Sequence, residues 1–183
     1  GLNSPAIHAL WTLHGLDLVN EQHPDVLAVV QKALSHPAAG VRKAAIMCLP
    51  ASLQQLEMLK AADSFNDPDP HTRLAAINWL FDLPSHDQVG EILFALSEDA
   101  TVSEDDWLAR SVYTVAVKHK ASFSKALAQH KKDWMDAFAT DRAYNWEAPD
   151  LSDEDWEEIP VPMLWGRTGI PLLDRFDGSL WYR

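Results

Sequence analysis

Histidine, the side chain most often used to bind transition metals, occurs eight times in this chain of 183 residues. A helix that holds zinc through two histidines needs them three or four residues apart, on one face. His8 and His14 are six residues apart and fall on nearly opposite sides of a helix. His36, His71 and His86 occupy loop or helix-start positions. We therefore expect no metal site and no cofactor.

Carboxylates form one dense cluster, near the C-terminus. Its members are Asp150, Asp153, Glu154, Asp155, Glu157 and Glu158. The cluster has enough oxygen atoms for Ca²⁺, but it lacks the glycine-containing alternation of an EF-hand loop. Glycoside hydrolysis needs two carboxylates held about 5–10 Å apart, and a flexible acidic run fixes no such distance. We interpret the cluster as a solvated acidic linker.

Nucleophilic catalysis has no recognisable site in the sequence. Cys48 is the only cysteine, so it has no disulfide partner, and its apolar neighbours are typical of a buried thiol. A catalytic thiol needs a nearby cation or a helix N-terminus. The sequence also contains no Gly-x-Ser-x-Gly elbow and no glycine-rich phosphate loop. We predict no catalytic residue and a protein that is not an enzyme.

The eight tryptophans fall into two groups of four. The first group is Trp11, Trp79, Trp107 and Trp134; the second is Trp146, Trp156, Trp165 and Trp181. We expect the first group to lie in a helical core. In the second group, Trp156, Trp165 and Trp181 are candidates for a surface on which sugar rings stack. Packing between domains explains these three equally well, because aromatic side chains carry a large apolar area.

Charge excludes two classes of partner. The chain has 27 acidic and 15 basic residues, a net charge of −12, which argues against binding nucleic acid or an anionic membrane surface. No apolar run of about 18 residues is present, so we expect no membrane insertion. Half of the net charge lies in residues 144–183, which hold nine acidic and three basic residues. This shift in composition indicates a boundary near residue 140.

Residues 1–140 contain an internal repeat. Residues 36–46 align with residues 67–77, matching Arg42 with Arg73 and Ala45 with Ala76. Weaker copies surround Ala9 and Ser111. The four anchors are 36, 31 and 35 positions apart, which is the period of a helical hairpin.

Apolar periodicity and helix-start signals predict eight helices in this region. They lie near residues 5–19, 24–35, 38–49, 52–62, 70–82, 86–97, 105–119 and 121–138. We predict an all-α fold in which four antiparallel helix pairs stack as an α-solenoid. An irregular helical bundle is the alternative.

The signature Asp-Pro-x-x-x-x-Arg-x-x-Ala, complete at residues 67–76 and with His for Asp at residues 36–45, resembles the HEAT-repeat family and its bilin-lyase-like members. The resemblance covers residues 4–139. In addition, Asp106-Trp107-Leu108-Ala109-Arg110, leading to His119 and Phe123, is similar to the HEAT segment of large bacterial extracytoplasmic dehydrogenase-like proteins, which also carry a c-type haem domain. This second resemblance implies a periplasmic or extracytoplasmic location. No Cys-x-x-Cys-His is present to hold a haem.

The last residues show another resemblance. Asp155-Trp156, Ile159-Pro160-Val161-Pro162, Trp165 and the run Phe176 to Arg183 resemble the opening of galactose-binding-like β-sandwiches. We therefore predict a helical domain at 1–140, an acidic linker at 141–158 and an extended segment at 159–183, the possible start of a truncated sandwich. Both ends of the chain read as interrupted elements, which favours a fragment of a larger multidomain protein.

These features predict a non-catalytic HEAT-repeat scaffold that binds protein, either other domains of its own chain or another subunit. One alternative is a carbohydrate-binding module that uses the tryptophans of the last segment. A second alternative is a HEAT-type enzyme, similar to a bilin lyase or a DNA glycosylase. The glycosylase would need a basic groove, which an acidic chain is poorly suited to supply.

Overall fold

A computed structural model describes the backbone of residues 3–140 and the side chains of residues 3–133. Every regular element in the described part is a helix, so the all-α prediction is confirmed there. By its internal contacts the chain divides into Gly1–Ala137 and Phe138–Arg183, and the description below concerns the first unit. The predicted linker at 141–158 and the extended segment at 159–183 lie outside the described residues.

Nine α-helices are present in this part of the chain. They are α1 (Ser4–Gly15), α2 (Pro24–Ala33), α3 (Ala39–Cys48), α4 (Leu53–Ala61), α5 (Pro70–Trp79), α6 (Asp87–Glu98), α7 (Ala100–Ser103), α8 (Asp106–Lys118) and α9 (Lys120–Thr140). Two 3-10 turns, Ser64–Asn66 and Leu80–Asp82, flank α5. Eight of the helices correspond to the predicted eight. The short helix α7 and both 3-10 turns are additional.

Local signals account for where the helices begin. Asn3 caps α1, Ser52 caps α4, and Asp69 caps α5, where its side chain accepts the N–H of Thr72 at 2.9 Å. Proline stands in the first turn of α1, α2 and α5, where no N–H partner is needed. The first helix ends earlier than predicted, at Gly15, because the chain turns at Asp17, whose φ is +56°.

The helices that carry the repeat motif contact one another in chain order. Helix α1 packs on α3, α3 packs on α5, and α5 packs on α8. Two of the helices that alternate with the repeat helices in the sequence pack on the next repeat helix: α2 contacts α3, and α6 contacts α8. The motif alanines Ala45 and Ala76 are completely buried, as are Ile46 and Ile77 beside them, so small and large apolar side chains alternate in this core. Ala9, the anchor of the weak first copy, is exposed.

Two of the tryptophans expected in the core lie at the surface. Trp79 is buried, but Trp11 is 38% and Trp107 is 75% exposed. Trp11 follows the buried Leu10, and Trp107 precedes the buried Leu108. One residue along a helix turns the side chain by about 100°, away from the core. The side chain of Trp134 lies outside the described range.

Helices α6 and α9 touch through their backbones at Gly90. A Cβ atom at this position would lie 2.2 Å from the carbonyl oxygen of Ser122. Only glycine allows so close an approach, and a larger residue would push the start of α9 away from α6. None of the helices described here has both the length and the hydrophobicity that crossing a bilayer requires.

Candidate functional site

The two arginines of the repeat motif bind aspartates that lie about one repeat further along the chain. Arg42 on α3 donates from Nε and Nη2 to the two carboxylate oxygens of Asp67, both at 2.7 Å. Its Nη1 donates to the carbonyl oxygen of His36 at 2.9 Å. The two charged side chains are only 14% and 7% exposed. The hydrogen bond with Asp67 raises the pKa of Arg42 above its usual value. We call this contact the first junction.

The second junction repeats the arrangement with a different set of acceptors. Arg73 on α5 donates from Nε to the carbonyl oxygen of Phe65 at 2.7 Å, from Nη1 to Thr101 Oγ1 at 2.6 Å, and from Nη2 to Asp99 Oδ2 at 2.5 Å. Arg73 is 9% exposed and Asp99 is 30% exposed. Hydrogen bonds from Thr101 and from Arg73 lower the pKa of Asp99 to about 2.

The acceptor at each junction also shapes its own loop. Asp67 accepts the N–H of Asp69 at 2.9 Å, and Asp99 accepts the N–H of Thr101 at 2.8 Å. In the copy at residues 36–46 His36 takes this place, and its Nδ1 accepts the N–H of Ala38 at 3.0 Å. Asp67 and Asp99 therefore each stabilise the turn before a helix and accept from the arginine of the preceding copy. His36 stabilises its turn in the same way, but no arginine precedes it in the sequence. Sequence reasoning missed Asp99, although it lies 32 residues after Asp67.

Every nitrogen of both guanidinium groups thus donates to an acceptor inside the protein. A guanidinium that served as an anion-binding or catalytic group would need donors directed at an open cleft. At the two junctions those donors meet protein carboxylates, a hydroxyl and backbone carbonyls instead. The geometry fits a structural role in joining successive copies, and it provides neither a general base nor a nucleophile.

The histidines with described side chains are dispersed. His8 and His14 are exposed on α1, where His14 packs edge-to-face on Trp11 with 5.6 Å between ring centroids. His86 accepts the N–H of Gln88, a helix-start role. His71 is exposed at the start of α5. Within residues 3–133, no group of three His, Cys, Asp or Glu side chains is close enough to hold a metal ion.

One histidine that was not among those weighed as metal ligands is deeply buried. His119, at the end of α8, is 1% exposed, and its Nε2 donates to the carbonyl oxygen of Leu80 at 2.9 Å. Its Nδ1 has no hydrogen-bond partner among the described residues. The imidazole thus ties α8 to the 3-10 turn after α5. A signal was present in the sequence, since His119 ends the motif that begins at Asp106.

Cys48 is buried, as its apolar neighbours predicted. The residue is 1% exposed on α3, and this burial raises the pKa of the thiol to about 11. The thiolate is the nucleophilic form, and it is scarcely populated at neutral pH when the pKa is so high. Cys48 is therefore a small apolar side chain in the core and is poorly suited to catalysis.

A groove lies between α4 and α6, and its apolar floor includes Phe65, Ile92 and Leu96. The polar groups on its rim already have partners. Lys60 pairs with Glu57 at 3.0 Å, Asp63 accepts from Asn66 at 2.7 Å, and Asp99 belongs to the second junction. No acid–base pair faces the groove from these residues.

The candidate sugar-stacking residues Trp156, Trp165 and Trp181 lie outside the described residues, as does the acidic cluster at 150–158. The structure therefore bears on neither prediction. No protein-family model matches the chain, and no significant similarity was found to a curated protein or to a solved structure.

Proposed function

We propose that the helices of residues 3–140 form a HEAT-type α-solenoid that serves as a non-catalytic scaffold, a segment of a larger protein that binds other proteins. The two junctions support this proposal. In a solenoid each repeat is stabilised by its own contacts and by those with its neighbours. Arg42 with Asp67 and Arg73 with Asp99 provide neighbour contacts, since each joins one copy of the motif to the next.

The order of helix contacts also supports a stack of repeats. Helices α1, α3, α5 and α8 meet in sequence. The charged side chains of the motif form ion pairs that join one copy to the next. The polar groups described above on the rim of the groove between α4 and α6 also have partners within the protein. A protein with this arrangement offers surfaces for binding rather than a constellation for chemistry.

Hydrogen exchange tests the repeat architecture. A stack of repeats loses protection locally when one junction is broken, whereas a single cooperative bundle loses it everywhere. We expect Arg73→Leu to speed exchange in α5, α7 and α8 while α1 and α2 keep their protection. Lys32→Leu is the matched control, because Lys32 is an exposed cation on α2, away from both junctions and from α8. Equal acceleration in all helices of Arg73→Leu would refute the solenoid.

Binding to DNA separates the scaffold from its enzymatic rival. A DNA glycosylase of HEAT type would need a basic groove, yet residues 1–143 carry 18 acidic and 12 basic residues. We expect no binding to abasic DNA at low salt, where electrostatic attraction is strongest. Saturable binding under these conditions would favour the glycosylase.

A further inference from the structure

The outer surface of α8 carries large apolar side chains in contact with solvent. Trp107 is 75%, Tyr113 is 72% and Val117 is 58% exposed. Together with Arg110 and Thr114 they lie three or four residues apart along the helix and so share one side of it. We call these five residues the α8 face. Tryptophan, tyrosine and arginine are the residue types that dominate binding energy at protein interfaces.

The opposite side of α8 is the one that packs on the rest of the protein. Leu108, Val112 and Val115 are buried there. Ser111 donates to the side-chain oxygen of Asn78 on α5 at 2.5 Å. The α8 face therefore points away from the core that α8 shares with its neighbours.

Comparison with α5 shows that the α8 face is exposed among the described residues, whereas the matching positions of α5 are covered. Trp107 and Thr114 lie 35 residues after Thr72 and Trp79, the same interval that relates Ser111 to Ala76. In α5, Thr72 donates to the carbonyl oxygen of Ala39 at 3.2 Å, and Trp79 donates to that of Leu49 at 3.0 Å. Both α5 residues are buried against α3, whereas Trp107 and Thr114 are exposed.

The charges at the two ends of α8 indicate what can cover this face. The helix begins at Asp106 and ends at Lys118, and both side chains are exposed. The Lys118 ammonium lies 4.5 Å from the centre of the Phe81 ring, a contact that restrains this charge at the end of α8. An acidic start and a basic end are complementary to the same helix running in the opposite direction.

We propose that the α8 face binds the α8 face of a second copy of this chain, with the two helices antiparallel. A two-fold axis that crosses the α8 face level with the middle of the helix places Asp106 of each copy opposite Lys118 of the other, so two ion pairs form. It also places Trp107 opposite Val117, which covers the most exposed aromatic ring. Such a contact is self-complementary, as a symmetric dimer requires. This proposal goes beyond the scaffold role and does not depend on it.

The size of the contact predicts a weak dimer. A helix of 13 residues is about 20 Å long, too short to bury the roughly 800 Å² per partner of a standard interface. We therefore expect association that depends strongly on concentration. Sedimentation equilibrium of the full chain between about 5 µM and about 1 mM covers the corresponding range of affinities. The mean mass should rise from 20.5 kDa towards twice that value.

Substitutions on α8 test where the contact lies. Trp107→Ala should weaken dimerisation at least tenfold. Trp11→Ala, which removes another exposed tryptophan on α1, should leave the dimer unchanged. Circular dichroism would verify that both variants are folded. A chain that stays monomeric at about 1 mM, a dimer that tolerates Trp107→Ala, or assemblies larger than a dimer would each overturn the proposal.

Charge reversal tests the antiparallel direction. Asp106→Lys and Lys118→Glu should each abolish the dimer, because each places like charges opposite one another twice. An equimolar mixture of these two variants should dimerise again, because both ion pairs are then restored across unlike chains. The variant that carries both substitutions should also recover the dimer. Failure of the mixture to associate would exclude the antiparallel arrangement.

Discussion

The two junctions use the same residue type at the same position of the repeat, yet they hold their acceptors in different ways. Arg42 donates to both oxygens of Asp67, which is 7% exposed, and to the backbone carbonyl of His36. Arg73 donates to only one oxygen of its aspartate, Asp99, which is 30% exposed, and directs its other donors to Phe65 and Thr101. This difference between the junctions arises from the residues that follow each aspartate in the sequence. Asp67 is followed by proline, and Asp99 is followed by the extra helix α7, which brings Thr101 into reach.

This comparison shows that one motif can produce two kinds of contact. At the first junction both oxygens of Asp67 pair with one guanidinium, and loss of Arg42 would leave that carboxylate without its counter-ion and with little access to solvent. At the second junction water has partial access to the carboxylate, and Thr101 remains bonded to it. We therefore expect the junctions to differ in the cost of losing the arginine and in their response to acid.

The largest effect should follow from Arg42→Leu. The substitution leaves the buried Asp67 carboxylate unpaired, which costs about 3–5 kcal/mol of unfolding free energy. Urea unfolding followed by circular dichroism measures this loss. The double variant Arg42→Leu, Asp67→Leu should be more stable than Arg42→Leu alone, because no buried charge is left behind. A double variant that is less stable than the single one would contradict this account.

Arg73→Leu should cost less, about 2–3 kcal/mol, although Arg73 makes bonds to three different residues. Asp99 can regain hydration when the guanidinium is removed, and its bonds with Thr101 persist. The buried carbonyl of Phe65 loses its donor and accounts for much of the cost. The same urea experiment measures both variants. A loss equal to or greater than that of Arg42→Leu would break the proposed distinction between the junctions.

Acid should weaken the second junction in a defined range of pH. The pKa of Asp99 is lowered from 3.8 to about 2 in the folded protein, so the unfolded chain binds the proton more readily. The stabilisation is complete above pH 3.8 and is lost as the pH falls towards 2. Asp99→Asn should therefore flatten the decline of unfolding free energy between about pH 4 and pH 2.

The control for this acid experiment is Val30→Ala. Val30 is completely buried on α2, and the cavity left by the smaller side chain destabilises the protein without changing a charge. The variant should be less stable at every pH and should keep the full acid dependence of the natural chain. If Asp99→Asn kept that dependence as well, Asp99 would not be its source.

The smallest signal is a difference in thiol labelling. Cys48 lies on α3 with Arg42, and its pKa of about 11 and its burial should make labelling of the natural protein by a thiol reagent slow near pH 8. Arg42→Leu should accelerate labelling more than Arg73→Leu does, because it loosens the helix that carries Cys48. Labelling at the same rate in both variants would show that the two junctions open together.

Sequence alone predicted the helices well because their signals are local. Proline in the first turn and a capping Asp69 act within one turn, and the apolar residues of α3 and α5 repeat with helical spacing. The partners of Arg42 and Arg73 are 25 and 26 residues away, respectively, so helical periodicity does not reveal them. The interval from Asp67 to Asp99 was the signal that could have identified the second junction.

The exposed tryptophans illustrate a second limit. Trp11 and Trp107 adjoin buried leucines, and hydrophobicity alone does not distinguish the two positions. A rotation of one residue about the helix axis decides which side chain enters the core, and that rotation is set by tertiary packing. Tertiary packing also decides the position of His119, because its hydrogen bond to the carbonyl of Leu80 joins residues that are 39 positions apart.

The order of charges in the repeat has a consequence for how such a chain can grow. The copy that begins at Asp67 presents this aspartate to the copy before it and Arg73 to the copy after it. A tandem duplication of residues 67–98 in the gene would place the first Arg73 beside the second Asp67 and leave the last Arg73 beside Asp99. The one new seam, like the two existing ones, would then have matching charges without any further mutation. After Asp99 this rule ends, because Leu108 stands where the next arginine would be. The segment from Asp67 to Glu98 is therefore the natural unit by which this protein could be lengthened.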